Sequence, residues 1–237
     1  MEPSKQERYV ALVADRKKCR DCADLQNPCD GLRNPSEPDL CLFDSDHIGP
    51  WTRLEGDLDA RLMVIGQDWG SVRYYVENLG GDLRPNRTDE NLAILLQSVG
   101  FCGPLTRNQP SRRLFLTNAI LCLKGGDMQA RIRKEWSLAC GRKFVKLQID
   151  IVAPCVVVAM GEVAYRATLA AFEVKRPWPS LRAAADTQEG IALTTKSLLL
   201  AVYHCGARVL NSKVRPWDQQ LRDWQRVAKA LEAERQA

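Results

Sequence analysis

From residue 61 onward, short apolar runs alternate with stretches in which apolar residues recur at helical spacing. Residues 62–65, 114–116, 155–160 and 198–203 are uninterrupted apolar runs of strand length. Between and after them the spacing predicts helices over 91–99, 135–151, 162–172 and 217–233. The first of these carries Leu92, Leu95, Leu96 and Val99 on one side, and the last carries Leu221, Trp224, Val227 and Leu231. Strands that are apolar on both faces, with helices between them, mark a parallel sheet covered on both sides. The pattern therefore predicts an α/β fold, a three-layer α/β/α sandwich on a short four-stranded parallel sheet.

The first sixty residues read differently. A helix is predicted over 5–17, after which Cys19-Arg20-Asp21-Cys22, Asn27-Pro28-Cys29-Asp30-Gly31 and Asn34-Pro35-Ser36-Glu37-Pro38 interrupt any long periodicity with turn formers. Residues 1–60 are expected to form a Cys-rich arm organised by a ligand, making one compact domain with the α/β part at 61–237. The length of 237 residues and an apolar fraction of 45% suffice for one substantial core. No apolar run approaches the roughly eighteen residues of a membrane span, and residues 1–8 are polar and charged, so a soluble, cytoplasmic chain is expected. Nine cysteines without a secretory signal point to metal binding before disulfides. A net charge of +5 is compatible with a polyanionic partner without requiring one.

Ligands of open parallel sheets sit beyond the carboxyl ends of the strands. The residues there are Gly66-Gln67-Asp68-Trp69-Gly70, Thr117-Asn118, Gly161-Glu162 and His204-Cys205-Gly206. A carboxylate, an amide and a histidine, each past a different strand, can read the edge of a small polar ring and activate water beside it. Of the two histidines, His204 follows the last strand directly, whereas His47 lies in the arm and reads as a turn residue.

In the order of these segments, strand then Gly66-Gln67-Asp68, strand then Thr117-Asn118, strand then Met160-Gly161, strand then His204, the chain resembles the uracil-DNA glycosylases. The resemblance runs from Cys19 to about Leu210, and Leu116-Thr117-Asn118-Ala119-Ile120-Leu121-Cys122 is similar to the iron–sulfur members known as family four. It implies a DNA glycosylase of base-excision repair, acting as a monomer on DNA, that flips out uracil or a related deaminated or 5-modified base and hydrolyses its glycosidic bond. Asp68 then matches the acid that positions water and stabilises the cationic sugar, Asn118 the amide that recognises uracil, and His204 the group that stabilises charge on the departing base. Gly66 and Gln67 would contact the same base, Tyr74 and Tyr75 are candidate stacking platforms, and Arg208, Val209 and Leu210 offer the residue that enters the duplex. The chain departs from the iron–sulfur members at Gln67-Asp68, where they carry Glu and a small residue. It departs from the cluster-free members at Gly70, where a Tyr excludes the thymine methyl, so a pocket open to enlarged bases is expected. No lysine occupies a motif position suited to a Schiff base, which points to monofunctional hydrolysis. The alternative is a non-catalytic nucleic-acid-binding protein of the same fold.

Cys19 and Cys22 form a Cys-x-x-Cys pair, compatible with zinc, a cluster or redox chemistry, although it precedes the α/β pattern and so lacks the thioredoxin context. The resemblance implies that Cys19, Cys22, Cys122 and Cys140 hold a structural [4Fe–4S] cluster, while zinc also accepts four thiolates. Cys29 and Cys41 are rival ligands, and Cys102, Cys155 and Cys205 read as core or loop thiols. Arg84, Arg87, Arg107, Arg112, Arg113, Lys124, Arg131, Arg133, Lys134, Arg208, Lys213 and Arg215 fall largely in loops and are candidates for a phosphate-binding rim. Trp51 and Trp178 read as packing residues.

Overall fold

A computed structural model describes residues 2–22, 31–50, 57–79, 86–101, 114–175, 177–187 and 189–236. Cys29, Trp51, Arg84, Cys102, Arg107, Arg112 and Arg113 lie outside the described residues. The N-terminal part contains α1 (Lys5–Lys18) and β1 (Leu32–Arg33). There follow β2 (Leu62–Gly66), α2 (Val72–Glu77), α3 (Arg87–Gln97), β3 (Leu114–Asn118) and β4 (Leu123–Lys124). Next come α4 (Lys134–Cys140), a π-helical turn (Gly141–Val145), α5 (Lys146–Val152), β5 (Val156–Met160) and α6 (Glu162–Ala171). The chain ends with α7 (Leu181–Asp186), β6 (Ile191–Ala192), β7 (Leu198–Val202), α8 (Ala207–Asn211) and α9 (Trp217–Gln236).

Because side chains alternate across a strand, each apolar run feeds two cores at once. Met63, Ile65, Phe115, Val157, Ala159, Leu199 and Ala201 pack on one side with α1, α5 and α6. Leu62, Val64, Leu114, Leu116, Val156, Val158, Leu200 and Val202 pack on the other, against Leu92, Leu95 and Leu96 of α3 and Trp224, Val227 and Leu231 of α9. Three layers result, as the hydrophobic pattern predicts.

The sheet order is β3-β2-β5-β7-β6. The first four strands are parallel, and the fifth, β6, is a two-residue antiparallel edge strand too short and too exposed to register in the pattern. The chain leaves β2 for β3 on one side and then crosses back to β5 on the other, so the topological switch lies at the carboxyl end of β2. That is where Gly66-Gln67-Asp68 begins.

The helices expected over 91–99 and 135–151 differ most from the observed ones. The helix expected from residue 91 starts at Arg87, because the Asn86 side chain accepts from Thr88 N at 2.9 Å and Asp89 N at 3.1 Å and caps it. The helix expected over 135–151 is broken by the π turn, where Gly141 lies against the backbone of α6.

The arm is part of the same core, since Tyr9, Leu12 and Val13 of α1 pack into the first face of the sheet. Its turns are organised by Arg16, which is 1% exposed and donates through Nη1 to both Asp44 oxygens at 2.8 Å and through Nη2 to Ser45 O at 3.2 Å and His47 O at 2.7 Å. A buried guanidinium thus gathers these turns of the arm. His47 is a half-buried turn residue, and Trp178 packs on the first face. Arg215 does not belong to a phosphate rim. It is buried and paired with Asp223 and Asp186, tying α7 to α9, with Nε 2.9 Å from Asp223 Oδ2.

A methyl group at Gly141 would sit 2.7 Å from the Ala167 carbonyl oxygen, a backbone atom that cannot swing aside. Gly141→Ala is therefore expected to lower the unfolding free energy by about 1–3 kcal/mol in urea denaturation, the usual range for overpacking.

Candidate active site

The carboxyl ends of β2, β3, β5 and β7 open into one crevice lined by Gly66, Gln67, Asp68, Gly70, Tyr74, Asn118, Met160 and His204. The floor is set by β2 and β3. Gly66 pairs in register with Asn118, and a Cβ on Gly66 would overlap Asn118 Oδ1, so the amide lies over the glycine backbone. Ala119 N donates to Gly66 O at 2.9 Å and Ile120 N to Gln67 O at 3.0 Å, which continues the pairing past the strand ends. Thr117 Oγ1 is buried in the same wall, with no hydrogen-bond partner among the described residues.

Asp68 is held from two sides. Gly70 N donates to Oδ1 at 2.8 Å and Gln67 Nε2 donates to Oδ2 at 2.7 Å. Gly70 has φ +95, a conformation that favours glycine and lets its N–H turn back onto the carboxylate. Lys124 stands 3.6 Å from Oδ1, with both side chains only 6% exposed. Its place between strands suggests a rim cation. It is instead buried beside the acid because β4 bonds back to the motif loop, Lys124 N donating to Gly70 O at 2.9 Å.

His204 emerges directly from β7, and Gly206 N donates to its Nδ1 at 3.0 Å. With Nδ1 accepting, the neutral ring carries its proton on Nε2. Burial pushes the imidazole below its ordinary pKa, against a smaller upward pull from the Asp68 charge. Gly161 turns the chain after β5 at φ +97, a conformation that favours glycine, and Asn91 Nδ2 holds Cys205 O at 2.7 Å.

The two tyrosines separate. Tyr74 lines the crevice, whereas Tyr75 is fully buried with Leu40, Trp69 and Leu123 and cannot stack on a bound ring. Neighbouring residues on a helix point in different directions, which decides between them. Met128 lies beside Gly70. A Cβ there would meet Met128 Sδ at 3.1 Å, and Ser71 N donates to that sulfur at 3.3 Å. Trp69, Met128 and Lys124 also line the crevice. Their one sequence signal is their nearness to the Gly-Gln-Asp and Asn motifs. Glu162 does not line the crevice and pairs with Arg166 at 3.0 Å. Arg208, Val209 and Leu210 lie on the short helix α8, with Arg208 exposed and the other two half-buried. Arg87 lines the crevice, while Arg131, Arg133 and Lys134 line an adjoining depression that shares Lys124.

A second cavity lies under the arm. Cys19, Cys22, Cys122 and Cys140 all line it, together with Arg16, Arg20 and Lys143. Burial pushes Cys22 up to about 11, Cys140 up to about 12 and Cys122 well above the usual thiol range, and the other thiols push each further the same way. Such a set ionises readily only beside a compensating positive centre. Among the described residues, no three His, Cys, Asp or Glu side chains converge as a single metal ion requires. Cys41 is exposed and lies away from this cavity, and Cys155 and Cys205 pack against the second face of the sheet.

A family model described as the uracil DNA glycosylase superfamily matches residues 54–227. No curated protein matches the chain.

His204 is expected to stay neutral as the Nε2–H tautomer down through pH 6.5, its ordinary value. Its charged form is disfavoured in the folded state, so the stabilisation it gives is present above that pH and lost as pH falls through the lowered value. Nitrogen-15 NMR of the imidazole checks this. Asp68→Asn, by removing the upward pull, should lower the titration further, and an unchanged midpoint would disprove the coupling.

Proposed function

Because the chain belongs to the uracil DNA glycosylase superfamily, we propose that it excises uracil or a related deaminated or 5-modified base from DNA by monofunctional hydrolysis, as the first step of base-excision repair. The observation that carries this reading is the convergence of Asp68, Asn118 and His204 on one crevice from three different strands. Breaking an N-glycosidic bond leaves an oxocarbenium-like sugar and an anionic base, and each needs an opposite partner. The Asp68 carboxylate supplies negative charge for the sugar and an acceptor for a proton of the attacking water. A neutral His204 donates from Nε2 to the base oxygen where negative charge accumulates, without first having to lose a proton. The Asn118 amide offers a donor and an acceptor side by side, matching the edge of a uracil-like ring.

A base can reach this floor only when turned out of the helix, and unstacking it takes a few kcal/mol. The Tyr74 ring on the crevice wall supports stacking as a partial offset. Arg87, Arg131, Arg133, Lys134 and Arg208 near the mouth suit contacts to flanking phosphates.

We also propose that Cys19, Cys22, Cys122 and Cys140 hold a [4Fe–4S] cluster. Four thiols lining one cavity, two from the arm and two from the α/β part, support this ligand set. When bound, the cluster supplies positive charge to stabilise the thiolates and a covalent tie between arm and domain. The catalytic groups all lie in the other cavity.

The test is release of free base from oligonucleotides carrying uracil, hypoxanthine, xanthine or 5-hydroxymethyluracil, single- and double-stranded. Cleavage of one of these is expected, with Asp68→Asn and His204→Ala each losing on the order of 100-fold or more in rate. Retained DNA binding with no cleavage of any substrate would move the chain to the non-catalytic reading. For the cluster, anaerobically purified protein should contain iron and acid-labile sulfide in equal amounts, both lost in Cys140→Ser. Stoichiometric zinc without sulfide would refute the cluster.

A further inference from the structure

We infer that Lys124 is a positioning residue for Asp68: with the Gly70 N–H it fixes carboxylate oxygen Oδ1, leaving Oδ2 to take the attacking water. The inference rests on the glycosylase reading. A lysine side chain 6% exposed is uncommon unless its charge is met, and Lys124 Nζ donates to Met128 O at 2.6 Å and faces Asp68 Oδ1 at 3.6 Å. The hydrogen-bond donor on Oδ1 and the ammonium charge beside it are both fixed. Gly70 N belongs to the motif backbone, and Lys124 is clamped by its own backbone on either side. Its N–H bonds Gly70 O, it bridges to Ser71, and it pairs in register with Leu32 of the arm. Oδ2 has a different kind of partner. Gln67 Nε2, at 2.7 Å, sits at the end of a flexible, partly exposed side chain that can turn away when base and water enter.

The carboxylate is thus asymmetric, with one oxygen pinned and the other releasable. Without the lysine, the group would rotate about its terminal torsion, which is broad and roughly two-fold. A buried amine here has a second possible role, attack on the sugar C1′ with departure of the base, after which the sugar ring opens to leave an imine. Its engagement with Met128 O and Asp68 favours holding over attack.

Wild type, Lys124→Met, Lys124→Arg, Asp68→Asn and the Lys124→Met/Asp68→Asn double variant are compared on the best-cleaved oligonucleotide, each shown by thermal melting to be folded. Lys124→Met should lower kcat by about 10- to 100-fold, the usual effect of misplacing a reacting group, with KM within about twofold. Lys124→Arg should restore most of the rate. In the Asp68→Asn background the Lys124→Met change should have no further effect, since a positioning residue acts through the group it positions. An unchanged kcat, a loss confined to KM, or additive losses in the double variant would each overturn the inference. So would a borohydride-trapped protein–DNA adduct formed by wild type and absent from Lys124→Met. If wild type releases no base from any substrate, the glycosylase reading falls and this inference with it. An active wild type with an indifferent Lys124→Met sinks this inference alone.

Discussion

A sheet buried on both faces leaves polar groups only one place to emerge, and that constraint shapes the whole molecule. Every residue of β2, β3 and β5 is buried, so a carboxylate or amide in the middle of a strand would lose its hydration with nothing to replace it, and Asn118 stands at the last position of β3. The chemistry is forced to the carboxyl ends, and the reversal of strand order at β2 parts the loops there to make the crevice. Gly66 is the narrowest point of this arrangement. Its missing side chain is the space in which the Asn118 amide lies, so two neighbouring strands deliver a backbone floor and a recognition group to one spot.

The arm depends on a different interaction. Arg16 gathers the turns around Asp44, Ser45 and His47, and the Asn34 amide bonds the carbonyls of Arg16 and Cys19 at 2.7 and 2.8 Å. From there β1 pairs with β4, which carries Lys124 toward Asp68 and follows Cys122 by a single residue. The thiol cavity and the crevice are therefore neighbours along one short strand, although they share no lining residue.

Much of this was legible in the residues. The apolar runs gave the four parallel strands because both their faces are buried, and the order of short motifs after them located Asp68, Asn118 and His204. What escaped depends on contacts distant in sequence. Lys124 looks like any loop cation until β4 is seen to bond Gly70, and Met128 enters the pocket only because the loop beyond β4 folds back over Ser71. Tyr74 and Tyr75 are adjacent and chemically alike, and only the direction of α2 tells the wall of the crevice from the packing behind it. The π turn was hidden for the same reason, since Gly141 answers to the α6 backbone and not to its own neighbours.

The two-residue strand β6 bears on how the protein behaves in a crowded solution. β7 would otherwise present a row of open N–H and C=O groups beside an apolar surface, a ready template for another chain. Ile191 and Ala192 run antiparallel along that margin and cover part of it, and they are themselves too few to recruit a further strand. The sheet is in this way shielded on its β7 side against edge-to-edge aggregation, by a segment that adds only the partly buried Ile191 to the first core.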